Sequence, residues 1–178
     1  MTERIIIAGA GGQGVMLLGK VLAEAAMRED KFLTWLPAYG AEVRGGTAYC
    51  MVVISDQEIG SPYIDKADTL MVMNNPSWAR FKERIKNNGL FIINTSLAEP
   101  DYSDKRHIKH HFSDMAIKLG NVRVANMIAL GCYLAHKKTV DIKTIIRVIE
   151  DIAPKDKKGL IAINQAAIKE GYNLNDKS

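Results

Sequence analysis

Residues 9–14 read Gly-Ala-Gly-Gly-Gln-Gly and follow directly on the apolar run Arg4-Ile5-Ile6-Ile7-Ala8. An amphipathic stretch begins at once, with Val15, Leu18, Leu22 and Ala25 on one face. Strand, glycine turn and helix start in this order are the opening of a doubly wound α/β domain. Four glycines in six residues leave backbone N–H groups unshielded at a helix N-terminus. Such a corner suits an anion or the close approach of another chain.

The rest of the chain extends the pattern. Residues 32–36 read as a second strand stopped by Pro37, and residues 47–54 as a strand covered on both faces. Ser55–Glu58 reads as a turn left by Ile59–Pro62, and a hairpin across it would place an antiparallel pair in an otherwise parallel sheet. Residues 69–73 form a strand, Asn75-Pro76-Ser77 opens a helix running to about Asn87, and Asn88-Gly89 ends it. Residues 90–94 are a further buried strand, and 107–112 an edge strand carrying His107, His110 and His111, read as exposed. Three helical stretches close the chain: 114–119 extending into 124–137, then 141–152, then 157–170, with Gly171 as the final C′ residue. The expected fold class is α/β: a three-layer α/β/α sandwich with a doubly wound, mostly parallel (mixed) sheet. It forms a single domain over 1–174, with 175–178 a frayed tail.

Composition narrows the function. The 178 residues are 47% apolar and 25% charged, with a formal net charge of +4. Basic residues mix with acids, and the stripe expected of a nucleic-acid module is missing. Cys50 and Cys132 lie far apart in apolar sequence, with no Cys-x-x-Cys spacing. They read as buried small hydrophobes in a reducing cytoplasm. No apolar run approaches membrane-spanning length, and the N-terminus lacks the layout of a signal peptide.

Gly9, Gly11 and Gly14 match the dinucleotide pattern Gly-x-Gly-x-x-Gly, but that reading also requires an acid at the tip of the second strand. Leu36-Pro37-Ala38 supplies none. A tight turn with no ligand is the plainer alternative. Gln13 offers a donor and an acceptor beside the turn. A second glycine-rich segment carries Tyr39, Gly40, Glu42, Arg44, Gly45 and Gly46. Glu42 and Arg44, two apart in an extended chain, share a side, and an arginine held by glycines can grip a carboxylate or phosphate. Asn126 is polar at the head of an apolar helix, where it caps the helix or faces an adjacent loop. Ser96, Ser103 and Ser113 lie in no nucleophile-elbow context, so no catalytic set is visible.

Ile7–Val15, Tyr39–Ala48, Ile54–Pro62, Asn126–Gly131 and Asn164–Gly171 together closely resemble the gamma subunit of 2-oxoacid:ferredoxin (acceptor) oxidoreductases. The resemblance covers nearly the whole chain in order. Pyruvate-type subunits usually read Gly-Arg-Gly-Gly-Gln-Gly in the first turn and lack Glu-Val-Arg-Gly-Gly-Thr. The form here resembles that of 2-oxoglutarate enzymes.

The resemblance implies an enzyme subunit that is not catalytic alone and binds no cofactor itself. The complex would use thiamine diphosphate, Mg2+, iron–sulfur clusters and coenzyme A. Its partners would be alpha and beta subunits, a ferredoxin-like subunit, and ferredoxin or another electron acceptor. Gly11, Gly12, Gln13, Gly14, Tyr39, Gly40, Glu42, Arg44, Gly45, Gly46 and Asn126 would form one interface or channel surface. Arg44 would face the anion, oriented by Glu42. Lys155, Lys157 and Lys158 are weaker candidates for coenzyme A phosphates, a solvated face being the plainer account. The rivals are a free-standing nucleotide- or flavin-binding protein and a pure assembly module.

Overall fold

The computed structural model describes residues 1–38, 47–153 and 158–174. Tyr39, Gly40, Glu42, Arg44, Gly45, Gly46, Lys155 and Lys157 lie outside the described residues, as do the side chain of Lys158 and the 175–178 tail.

Six strands form one sheet: β1 (Thr2–Ala10), β2 (Phe32–Ala38), β3 (Thr47–Ser55), β4 (Ala67–Val72), β5 (Ile85–Asn94) and β6 (His107–His110). Their order is β2-β3-β1-β4-β5-β6. β3 pairs antiparallel with both β1 and β2, and the remaining pairings are parallel. One reversed strand thus sits in a sheet whose other members run the same way. The expected antiparallel element is present, but it comes from β3 pairing with β1 and β2 and not from a hairpin with residues 59–62, which form no strand.

The helices are α1 (Val15–Arg28), α2 (Asn75–Phe81), α3 (Phe112–Lys118), α4 (Ala125–His136), α5 (Ile142–Ile152) and α6 (Lys158–Tyr172). Alternation along β1 divides the core. Ile5 and Ile7 pack with α1, α3, α4, α5 and α6, whereas Ile6 and Ala8 face Trp78 and Phe81 of α2. Helices therefore cover both faces, but the second layer is thin: one two-turn helix plus Ile59, Ile64 and Ala98 from loops. No described helix is long and apolar enough to cross a membrane.

Several boundaries differ from expectation, each for a tertiary reason. β2 runs through Pro37 to Ala38, because β2 is an edge strand paired on one side only. α2 starts as expected, with the Asn74 side chain accepting from the Ser77 N–H (3.1 Å), but it stops at Phe81 and not near Asn87. The Ala67 N–H takes the Arg84 carbonyl, and Ile85 then pairs with Ala67. Asn88-Gly89 is an irregularity inside β5, where a β-carbon on Gly89 would lie 3.1 Å from the Asp68 carbonyl and closer still to Ile85.

Gly171 is likewise not a C′ residue; it lies within α6, against α4. His107 is not an exposed edge residue. Its ring packs among Phe91 (4.6 Å between centroids), Tyr102 (5.2 Å) and Trp78 (5.5 Å). Cys50 and Cys132 are both buried and free, as read from the sequence.

Candidate functional site

The carboxyl end of β1 meets four other chain corners. Thr47 pairs with Ala10, and Ala38 pairs with Tyr49, two residues along β3 from Thr47. The ends of β4 and β5, at Val72 and Asn94, point the same way. Both flanks of segment 39–46 therefore emerge beside the glycine turn, at one end of the sheet. Ala10, Gly11, Gly12, Gly14, Val15, Met16, Leu17, Ala38 and Ala48 together line a cavity of about 400 Å3.

The chain leaves β1 for α1 on one face and leaves β4 for α2 on the other. The space between β1 and β4 is thus the topological switch point, where open α/β sheets hold their ligands. Gln13 occupies it. Its Oε1 accepts the Ala10 N–H (2.6 Å), and its Nε2 donates to the Met73 carbonyl (3.2 Å). The donor and acceptor read from the sequence are both engaged within the fold. A β-carbon on Gly9 would lie 2.7 Å from Gln13 Oε1 and 2.9 Å from Met73 Cβ, so Gln13 and Met73 pack directly against the end of β1.

The other end of the turn is held from α4. Gly14 adopts φ +70° at the start of α1 and carries no side-chain cap. Its carbonyl accepts Asn126 Nδ2–H (3.0 Å), while Asn126 Oδ1 accepts the Met127 N–H (2.9 Å). Asn126 is 2% exposed. Of the two alternatives read from sequence, it faces the adjacent loop. Gly12 differs from its neighbours: φ is +90°, yet a β-carbon there would meet nothing within 4 Å. It is exposed and faces outward.

Sequence reasoning missed the residues that back this corner. Asn94 is fully buried; its Nδ2 donates to the Met73 carbonyl (3.2 Å) and to Ser113 Oγ (2.9 Å). Its Oδ1 accepts the Ser113 N–H (3.2 Å). Gln13 and Asn94 therefore share one carbonyl, and a polar belt crosses the ends of β1, β4 and β5 to α3. A lone amide closing the apolar run Leu90–Ile93 was the available signal.

Among the described residues, no group of three or more His, Cys, Asp or Glu side chains converges to hold a metal ion. Cys50 and Cys132 are both fully buried and free, Cys50 between β3 and α1 and Cys132 in α4, with burial pushing their thiols up to about 12. These two residues do not fit an iron–sulfur site. The glycine corner, lined by backbone and apolar side chains, offers N–H groups and shape rather than a proton donor or a nucleophile.

Comparison with known proteins places this architecture. The family model described as pyruvate ferredoxin/flavodoxin oxidoreductase matches residues 4–174. The chain belongs to this family. Members similar to it include the 2-oxoglutarate synthase subunit KorC of Methanocaldococcus jannaschii, 32% identical over 181 residues, covering 98% of this chain and 94% of the relative. The ketoisovalerate oxidoreductase subunit VorA of Methanothermobacter thermautotrophicus is 39% identical over 132 residues. That match takes in 74% of this chain but only 28% of VorA, so the chain spans little more than a quarter of that longer family member. The solved keto/oxoacid ferredoxin oxidoreductase gamma subunit of Geobacter sulfurreducens superposes with a TM-score of 0.80 at 25% identity, covering 99% of both chains.

Proposed function

We propose that this chain is the gamma subunit of a 2-oxoacid:ferredoxin oxidoreductase, with 2-oxoglutarate as the substrate. The end-to-end match to the KorC subunit carries this reading, because nearly all of each chain takes part in it. The higher identity to the ketoisovalerate subunit favours a second reading, a branched-chain 2-oxoacid. The end of β2, Leu36-Pro37-Ala38, supplies no acid for a ribose, and Gln13 is tied to Ala10 and Met73 at the switch point, which argues against a free-standing dinucleotide or flavin protein.

In this reading the alpha and beta subunits carry thiamine diphosphate and Mg2+, and clusters on a ferredoxin-like subunit pass electrons to ferredoxin. When bound, thiamine diphosphate supplies the electron sink for decarboxylation of the 2-oxoacid. This chain supplies a face. The outward edge of the glycine turn meets the partner subunits and excludes water from the passage used by substrate or coenzyme A. Segment 39–46 extends that face from its two anchors. Arg44 grips a carboxylate or phosphate there by two parallel hydrogen bonds, and Glu42 orients it. The assembly works in the cytoplasm.

The experiment is reconstitution with the co-encoded thiamine-diphosphate-binding and ferredoxin-like chains. Coenzyme A-dependent viologen reduction is then measured with 2-oxoglutarate, ketoisovalerate and pyruvate in turn. Activity with 2-oxoglutarate only when this chain is present supports the proposal. A preference for ketoisovalerate moves the assignment to the second reading. Full activity without this chain, or turnover by this chain unaided, defeats both. In the same system Arg44→Ala raises the KM for 2-oxoacid or coenzyme A; unchanged constants with normal assembly would remove its anion-gripping role.

A further inference from the structure

We propose that Gln13 and Asn126 are positioning residues: two carboxamides that clamp the ends of the glycine turn from inside the fold and leave Gly11 and Gly12 to face a partner subunit. The inference rests on the gamma-subunit reading above. It differs from that reading in taking Gln13 and Asn126 out of the contacting surface.

Three observations carry it. First, the clamp is two-sided and internal. Gln13 ties Ala10 to the end of β4, and Asn126, nine-tenths or more buried, ties Gly14 to the head of α4. Each of the four terminal polar atoms of the two amides has a backbone partner, which fixes the direction of both side chains towards the fold.

Second, the glycines sort by what surrounds them. Gly9 and Gly14 have no room for a β-carbon, because Gln13 and Asn126 stand against them. Gly12 has room and is glycine nevertheless. Its φ of +90° accounts for part of that, and the open space beside it is where another chain approaches.

Third, the clamps are anchored in rigid structure. The Met73 carbonyl that takes Gln13 also takes fully buried Asn94. α4, which carries Asn126, is packed backbone to backbone against α6 at Gly131 and Gly171. Binding is tightest when the contacting backbone is ordered beforehand, because the entropy of ordering is not then spent on association.

The test compares Gln13→Glu, Asn126→Asp and Gly12→Asn in the reconstituted complex, with folding checked by circular dichroism and assembly constants measured by titration of this chain into its partners. A carboxylate can still accept a hydrogen bond but cannot donate one. At pH 8, Gln13→Glu loses its bond to the Met73 carbonyl and Asn126→Asp its bond to Gly14. Assembly of the folded chain is expected to weaken about tenfold or more in each, corresponding to roughly 1.4 kcal/mol per decade. It should recover towards pH 5, where a protonated carboxyl donates again, and the wild type should show no such recovery. The backbone amide resonances of Gly11, Gly12 and Gly14 in the isolated chain should shift in step. A role confined to stability would lower the thermal midpoint and leave the assembly constant of the folded chain unmoved.

Wild-type assembly in both carboxylate variants, with Gly12→Asn impaired, would overturn the positioning role and leave the docking face intact. Wild-type assembly in all three would overturn the face as well. Should Gln13→Glu not fold, Gln13→Met removes both bonds at similar volume and carries the same expected loss without the pH recovery.

Discussion

Gly131 on α4 and Gly171 on α6 lie against each other's helix backbone: a β-carbon on Gly131 would fall on the Ile168 carbonyl, and one on Gly171 on the Ile128 carbonyl. On the face of the sheet that also carries α1, α6 is therefore packed backbone to backbone on α4. Alanine at either site would gain about 1 kcal/mol of helix propensity. Overpacking costs roughly 1–3 kcal/mol and is at its worst where the clashing atoms are backbone, which cannot rotate away. Gly131→Ala and Gly171→Ala are each expected to destabilise, lowering the urea midpoint with m unchanged. A rise in the midpoint would mean that α6 can move off α4.

Gly12 and Gly14 both have positive φ, but only Gly14 is crowded. A left-handed alanine costs roughly 1–2 kcal/mol from its backbone alone. Gly12→Ala should show about that loss in denaturant unfolding of the isolated chain. Gly14→Ala should show distinctly more, because Asn126 must also give way. Equal losses would show that Asn126 does not press on the turn.

His107 gives the protein a pH dependence of predictable sign. Desolvation, followed by the charge of Lys109, holds its pKa below 6.5; Asp104 opposes this, and Arg106 adds a smaller lowering. A group whose folded pKa is depressed contributes stability that is present above its unfolded value, about 6.5, and is lost as pH falls through the folded value. His110, also depressed by burial, adds to the same window. Unfolding free energy should therefore decline from pH 7.5 to 5, and His107→Phe should flatten part of that decline. The same variant replaces two ring nitrogens that are buried without partners. It should be more stable at pH 7.5 by up to about 1 kcal/mol, the low end of the range for unsatisfied groups. A steeper decline in the variant would exclude this account.

The thiols of Cys50 and Cys132 are buried, with pKa values pushed up to about 12. Native protein at pH 8 should react with an aromatic disulfide reagent far more slowly than a free thiol, and both groups should titrate promptly in denaturant. Fast reaction of either in the native chain would reveal local opening around it.

Much of the fold was legible because its signals are local. β1, its glycine turn and the apolar stripe of α1 follow one another within 28 residues, and parallel strands buried on both faces read as unbroken apolar runs. The failures share one cause. Asn88-Gly89 and Gly171 carry the chemistry of a helix stop, yet each serves a contact with a distant segment, Gly89 with Asp68 and Gly171 with Ile128. His107 reads as an edge residue until Trp78 and Tyr102 close over it.

In the candidate site, the position of Asn126 beside the turn agreed with its sequence reading. Gln13 was singled out for its donor and acceptor, but its partners, Ala10 and Met73, were not legible, because the partners of an amide cannot be assigned from its neighbours in sequence. Asn94 went unnoticed, although a single polar residue at the end of an apolar strand seldom lacks a buried partner.

The single reversed strand has an evolutionary consequence. Because β3 runs against β2, residues 39–46 join two adjacent antiparallel neighbours and need not cross the sheet. A connection of that kind can double in length for about 0.6 kcal/mol. The connection between Ala38 and Thr47 can thus change length or sequence while every strand register stays in place. Relatives that handle different acids can diverge there at almost no thermodynamic penalty to the scaffold.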